Sequence, residues 1–173
     1  MLLTQEGAIL VFTVAGISLK LADTFESTLR GFISATISAV CMGLLIAESA
    51  SSSAIILGIM VGITLAGKLD QSNLIFGLGL ALATAIIMGF HLPDLSVLGI
   101  ITAGALIDEV GHDRISSRGL VGKLFRFRMV LKATVLMLAV FGFIEVGSTL
   151  GFFSFDICYD GTDILWSVYK AHK

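Results

Sequence analysis

Apolar residues come in six long runs, roughly 8–22, 31–47, 54–67, 73–91, 95–107 and 130–153, with short polar stretches between them. None of the runs alternates with period two, as the strands of a barrel would, and their continuity points to helices. Several are shorter than the ~20 residues of a perpendicular membrane crossing. Flanking Ser, Thr and Gly residues extend them, and the fifth and shortest reads as a tilted or core-buried helix. The pattern therefore predicts an all-α integral membrane protein. Six transmembrane helices, arranged as three helical hairpins, would occupy residues 1–153, and an interfacial C-terminal tail would occupy 154–173.

Composition supports the bilayer as solvent. Of 173 residues, 56% are hydrophobic and 14% charged, against roughly 25% charged in soluble domains. Mean hydropathy is +0.99. There are 19 glycines and one proline. Most of the glycines lie inside apolar runs, where small residues let membrane helices approach closely. Gly58 with Gly62 and Gly147 with Gly151 have GxxxG spacing, which leaves oligomerisation through glycine-rich faces open. Cys41 and Cys158 do not form a disulfide framework. No basic residue precedes Lys20, and there is no clear small-residue cleavage site, so the first run is expected to be an uncleaved helix.

Basic residues set orientation. Nine of the eleven, Lys20, Arg30, Lys68, Arg114, Arg118, Lys123, Arg126, Arg128 and Lys132, fall in the loops after odd-numbered runs or, for Lys20 and Lys132, in the helix ends that border them. The expectation is a multi-pass cell-membrane protein with odd loops in the cytoplasm and both termini outside.

A faint internal repeat agrees with three hairpins. The odd runs end in GISLKLAD (16–23), GITLAGKLD (62–70) and GIITAGALID (99–108). Stacked hairpins would bring Asp23, Asp70 and Asp108 to one end. Chance similarity among low-complexity apolar segments competes with that reading. In the second run, Ser34, Thr36 and Ser38 fit hydroxyls bonded back to their own helix better than they fit a polar pathway.

Chemistry-bearing residues are densest over 105–128. If the fifth helix continues through Asp108-Glu109-Val110-Gly111-His112-Asp113, then Asp108 and His112 share a face, and so do Glu109 and Asp113. A carboxylate beside an imidazole suits acid–base work, so Glu109, His112 and Asp113 are the candidate catalytic residues. The oxygen-rich set Asp23, Glu26, Asp70 and Asp108 would favour Mg²⁺ or Mn²⁺ over zinc. The alternative is a solvated acidic loop. Arg114, Arg118 and Lys123, with Arg126 and Arg128 beyond them, suit either anionic lipid at the membrane surface or a bound phosphate. The stretch 118–123 lacks Walker spacing, so no nucleotide motif is present. Nor does anything point to nucleic acid.

Glu48, His91, Asp94 and Glu145 scatter on the other side, and Glu145 falls within the sixth run. The tail carries Asp156, Asp160 and Asp163 with Tyr159, Trp166 and Tyr169. A short helix from Thr162 would place Leu165, Val168 and Tyr169 together, as an interfacial anchor does.

Three functions compete. The first is a divalent-cation-dependent enzyme acting on a lipid-linked or prenyl phosphate at the cytoplasmic interface. In the second, a cation transporter or channel has an Asp-lined mouth, and Glu48 and Glu145 mark the far end of the ion path. The third is a non-catalytic membrane assembly subunit.

Overall fold

The computed structural model describes residues 3–26, 28–114, 125 and 127–171. Among these residues the chain is all-helical, with no strands. Seven helices follow one another: α1 (Gln5–Thr24), α2 (Leu29–Glu48), α3 (Ala50–Leu65), α4 (Ser72–Met88), α5 (Leu95–Arg114), α6 (Met129–Val140) and α7 (Val146–Ala171). Three, not six, are long and apolar enough to cross a membrane: α1, α2 and the Leu95–His112 part of α5. The helices α3, α4 and α6 are apolar but shorter.

Local chemistry sets the boundaries. Thr4, Thr28 and Ser49 are N-caps whose hydroxyls accept from the backbone N–H of Gly7, Gly31 and Ser52. Asp94 Oδ1 accepts from Val97 N at 3.2 Å and Ser96 N at 2.7 Å at the start of α5. These two backbone bonds hold its carboxyl below the usual carboxylate range. At the end of α3, Gly67 (φ +72) lets Lys68 N reach Ile63 O while Gly67 N reaches Thr64 O. At the end of α6, Gly142 (φ +76) does the same for Phe143 N with Leu138 O and Gly142 N with Ala139 O. Both turns need a left-handed residue just past the helix, which glycine adopts without Cβ strain.

The second of these turns breaks the sixth run, which was expected to be one helix over 130–153. Gly142 ends α6, the chain reverses, and α7 begins at Val146. The helix α7 runs unbroken through the start of the expected tail at 154–173, as far as Ala171.

Six helices close a ring in the order α1, α2, α3, α5, α6, α7 and back to α1, and α4 packs outside on α2. One core cluster joins α3, α5, α6 and α7 around Ile55, Ile101, Val135 and Phe152. The other joins α1, α2, α3, α4 and α7 around Phe12, Leu45, Ile56, Ala81 and Phe155. The expected GxxxG pairs are used inside the chain. A Cβ on Gly58 or Gly62 would press on Ile101 or Ala105 of α5, and one on Gly151 would enter the Phe12 ring.

Successive helices alternate in direction, so α7, the seventh, runs parallel to α1. Gln5 lies beside Gly147, Thr13 bonds Ser154, Lys20 pairs with Asp163, and Phe25 packs edge-on against Trp166. The two ends of the described chain therefore lie at opposite ends of the bundle. The expectation of both termini on one side of a membrane followed from counting six helices, whereas seven are described. One consequence concerns charge. Every described lysine and arginine, Lys170 included, now lies toward the same end of the bundle. The opposite end carries Glu6, Glu48, His91, Asp94 and Glu145.

Candidate functional site: a charged pocket at the basic end

A pocket of about 490 Å³ opens at the basic end. Its inner wall is largely apolar: Ala35, Ala39 and Met42 from α2, Ile59, Met60 and Ile63 from α3, and Leu74, Gly77 and Leu78 from α4. Its rim is charged. Lys20 and Asp23 come from α1, Lys68, Asp70 and Gln71 from the α3–α4 loop, and Glu109 and His112 from α5. Arg128 precedes α6, while Tyr159, Asp160 and Asp163 come from α7.

Ion pairs tie the rim together. Lys20 Nζ lies 3.2 Å from Asp23 Oδ2 and 2.9 Å from Asp163 Oδ1. Arg128 reaches Glu109 at 2.7 Å. Behind the rim, Lys132 Nζ sits 2.7 Å from Asp156 and 3.4 Å from Asp160. The Tyr159 ring lies near two cations, with Lys20 at 5.2 Å and Arg128 at 5.0 Å from its centroid. Arg128 holds its position with φ +49, an uncommon conformation for a residue with a Cβ. Gln71 Nε2 donates to the Asp23 backbone and carboxylate oxygens at 3.5 and 3.4 Å, which ties the α3–α4 loop to α1.

Of the residues expected to hold a metal, Asp23 and Asp70 line the pocket. Glu26 is exposed in the α1–α2 turn and does not. Asp108 has another task. It is 1% exposed, and its oxygens accept from Val130 N at 3.2 Å and Leu131 N at 2.6 Å. A carboxylate that closes the first turn of α6 in this way is committed. Among the described residues no three His, Cys, Asp or Glu side chains come together to hold a metal ion.

Of the expected catalytic residues, Glu109 and His112 reach the pocket, and Glu109 is engaged by Arg128. The Asp113 side chain, Arg118 and Lys123 lie outside what is described. Arg114 is exposed at the end of α5 and does not line the pocket. Glu48 and Glu145, the expected far end of an ion path, lie at the opposite end. Glu48 is buried and accepts from Leu3 N at 2.9 Å. Glu145 is exposed in the α6–α7 turn rather than inside a span, because the helix expected to contain it ends before it. In α2, Thr36 bonds back to Phe32 O as expected, whereas Ser38 crosses to Ala15 O on α1 at 3.1 Å.

The acidic face of α7 escaped sequence reasoning, which assigned it to an interfacial anchor. Its signal is present in hindsight. Asp156, Tyr159, Asp160 and Asp163 follow i, i+3, i+4, i+7 spacing and so share one helical face.

No protein-family model matches the chain, and no curated protein or solved structure gives a significant match.

Proposed function

We propose that the chain is an integral membrane protein that binds an amphiphile, with the apolar chain between α2, α3 and α4 and the polar head at the charged rim. One observation carries this reading: a single pocket has an apolar wall and a charged mouth. A pocket of about 490 Å³ falls within the range of roughly 300–1,000 Å³ that small-molecule sites occupy.

Membrane placement follows from the same asymmetry. All the described cations lie toward the pocket end, so that end faces the cytoplasm by the positive-inside rule. With alternating helices the N-terminal end of α1 is then outside and the C-terminal end of α7 inside. At 1.5 Å per residue, the 16 residues of α3 and 17 of α4 span about 25 Å, so these helices cross as part of the packed bundle rather than as free spans.

The pocket gives less support to a metal-dependent enzyme acting on a lipid-linked phosphate. Asp108 caps a helix, and Arg128 is held by Glu109, with which a phosphate would have to compete. Cation transport keeps one supporting observation. Lys132 and Asp156 form a largely buried pair between two helices of the bundle, where charge is costly and often marks a pathway.

Native mass spectrometry from nanodiscs tests amphiphile binding, with single-chain dodecyl probes set against head groups that lack the chain. The dodecyl probes should bind saturably and the bare heads should not. Gly77 lines the pocket, and a Cβ there would make only ordinary contact with Ala35 at 3.5 Å. Gly77→Phe should therefore fill the pocket and abolish binding without unfolding the bundle. A cation current through liposomes, with no dodecyl binding, would favour transport instead.

A further inference from the structure

We infer that the pocket fills from the side, through a slot between α3 and α4 that admits the alkyl chain of a lipid in the cytoplasmic leaflet. The inference rests on the amphiphile reading and adds where the ligand comes from. Its basis is a hairpin whose two helices stand apart. Residues 66–71 join α3 to α4, yet the helices touch at most in passing, because each packs closely on another partner. A Cβ on Gly43 of α2 would collide with Thr84 and the Ala81 carbonyl of α4. Gly58 and Gly62 likewise bring α3 close to α5. The start of α4 is also tethered elsewhere. Buried Asn73 donates from Nδ2 to Ala22 O at 2.7 Å, and Gln71 Nε2 donates to Asp23, so both residues draw α4 toward the end of α1.

The slot has the chemistry of a passage for hydrocarbon. Neither α3 nor α4 contains a charged residue. Ile59, Met60 and Ile63 of α3 stand on one side and Leu74 and Leu78 of α4 on the other, with Ala35 of α2 behind, and all of them line the pocket. Val61 on α3 and Ile75 on α4 are exposed beside them. Depth agrees. The pocket residue Met42 stands about 20 Å along α2 from Leu29 at 1.5 Å per residue, which is well inside a hydrocarbon core of about 30 Å.

The shape of the hairpin selects the occupant. The loop 66–71 arches over the slot at the basic end. A bilayer-spanning helix, about 10 Å across with its side chains, could not run through a slot closed in that way. An alkyl chain entering sideways meets no such barrier, and lipid chains fill the bilayer at that depth. Burying a chain between apolar helices costs it no hydrogen bond, whereas a charged or hydrated solute crossing the same slot would lose its water.

A phosphatidylcholine carrying a diazirine halfway along one chain tests this in nanodiscs, with photoadducts mapped by peptide mass spectrometry. Adducts are expected on Met60 and Leu78. Gly77→Phe should remove them and spare adducts on Leu136, which is exposed on α6. The slot can also be closed without filling the pocket. In a chain carrying Cys41→Ala and Cys158→Ala, Val61→Cys and Ile75→Cys are bridged by a flexible bismaleimide in detergent, before reconstitution. The bridged protein should lose the Met60 and Leu78 adducts, and each single-cysteine variant capped with a monofunctional maleimide should keep them. Adducts unchanged by the bridge would overturn the portal and leave an amphiphile pocket filled through its charged mouth. No adducts on either residue, with saturable dodecyl binding that Gly77→Phe abolishes, would do the same. Cross-linking of Val61→Cys or Ile75→Cys to a second copy would set a protein helix against the slot and also overturn the portal. Adducts that survive Gly77→Phe, with no saturable dodecyl binding, would overturn both readings.

Discussion

The Asp108 carboxylate on α5 closes the first turn of α6, with Leu131 N donating to Oδ2 at 2.6 Å. The two helices are separated in sequence by the basic stretch 114–128, so this contact fixes where α6 starts. Asp108→Ala would leave buried N–H groups without an acceptor, at a cost of about 1–3 kcal/mol. A thermal melt in detergent should show this as a lowered transition, with dodecyl-probe binding retained by the protein that remains folded. Loss of binding at unchanged stability would return Asp108 to the site.

The Lys132–Asp156 pair ties α6 to α7, which otherwise touch little. Both side chains are mostly buried, so removing one strands the other. Lys132→Met should cost on the order of 3–5 kcal/mol, whereas Lys132→Met with Asp156→Leu should recover most of the loss. Chemical-denaturation curves of the single and double variants decide the matter. If the double variant is as unstable as the single, the coupling does not lie in this pair.

Gly16 faces the backbone of Phe155, and a Cβ there would collide with the Phe155 carbonyl. Gly16→Val should therefore force α1 and α7 apart and cost about 1–3 kcal/mol or more. Gly79, where a Cβ meets open space, supplies the control, and Gly79→Ala should leave stability unchanged or slightly raised. Equal losses at both sites would mean that glycine content, rather than this crossing, is what matters.

Topology separates six spans from seven. With α7 parallel to α1, single cysteines at residues 4 and 170 should label from opposite sides of the membrane. In intact cells an impermeant thiol reagent should reach residue 4 and miss residue 170. Labelling of both residues from outside would restore the six-span arrangement.

Sequence alone determined that this chain is helical, and its continuous apolar runs include three helices long and apolar enough to cross a membrane. It also determined most of the charge asymmetry, since lysines and arginines cluster after odd helices whatever the packing. Tertiary structure decided the helix count at the end of the chain. Gly142 reads as one more small residue in an apolar run, and only its left-handed turn shows that the run stops there. With that turn the acidic face of α7 moves from a surface tail to the pocket rim. The same structure sets the Asp108 carboxylate against the first N–H groups of α6. A carboxylate's spacing along one helix shows which face it occupies, but whether it meets an ion or another helix's N–H groups depends on a neighbour 22 residues away. Hydrophobic pattern is local and survives in the sequence, whereas ion pairs and caps between distant segments depend on which helices pack together.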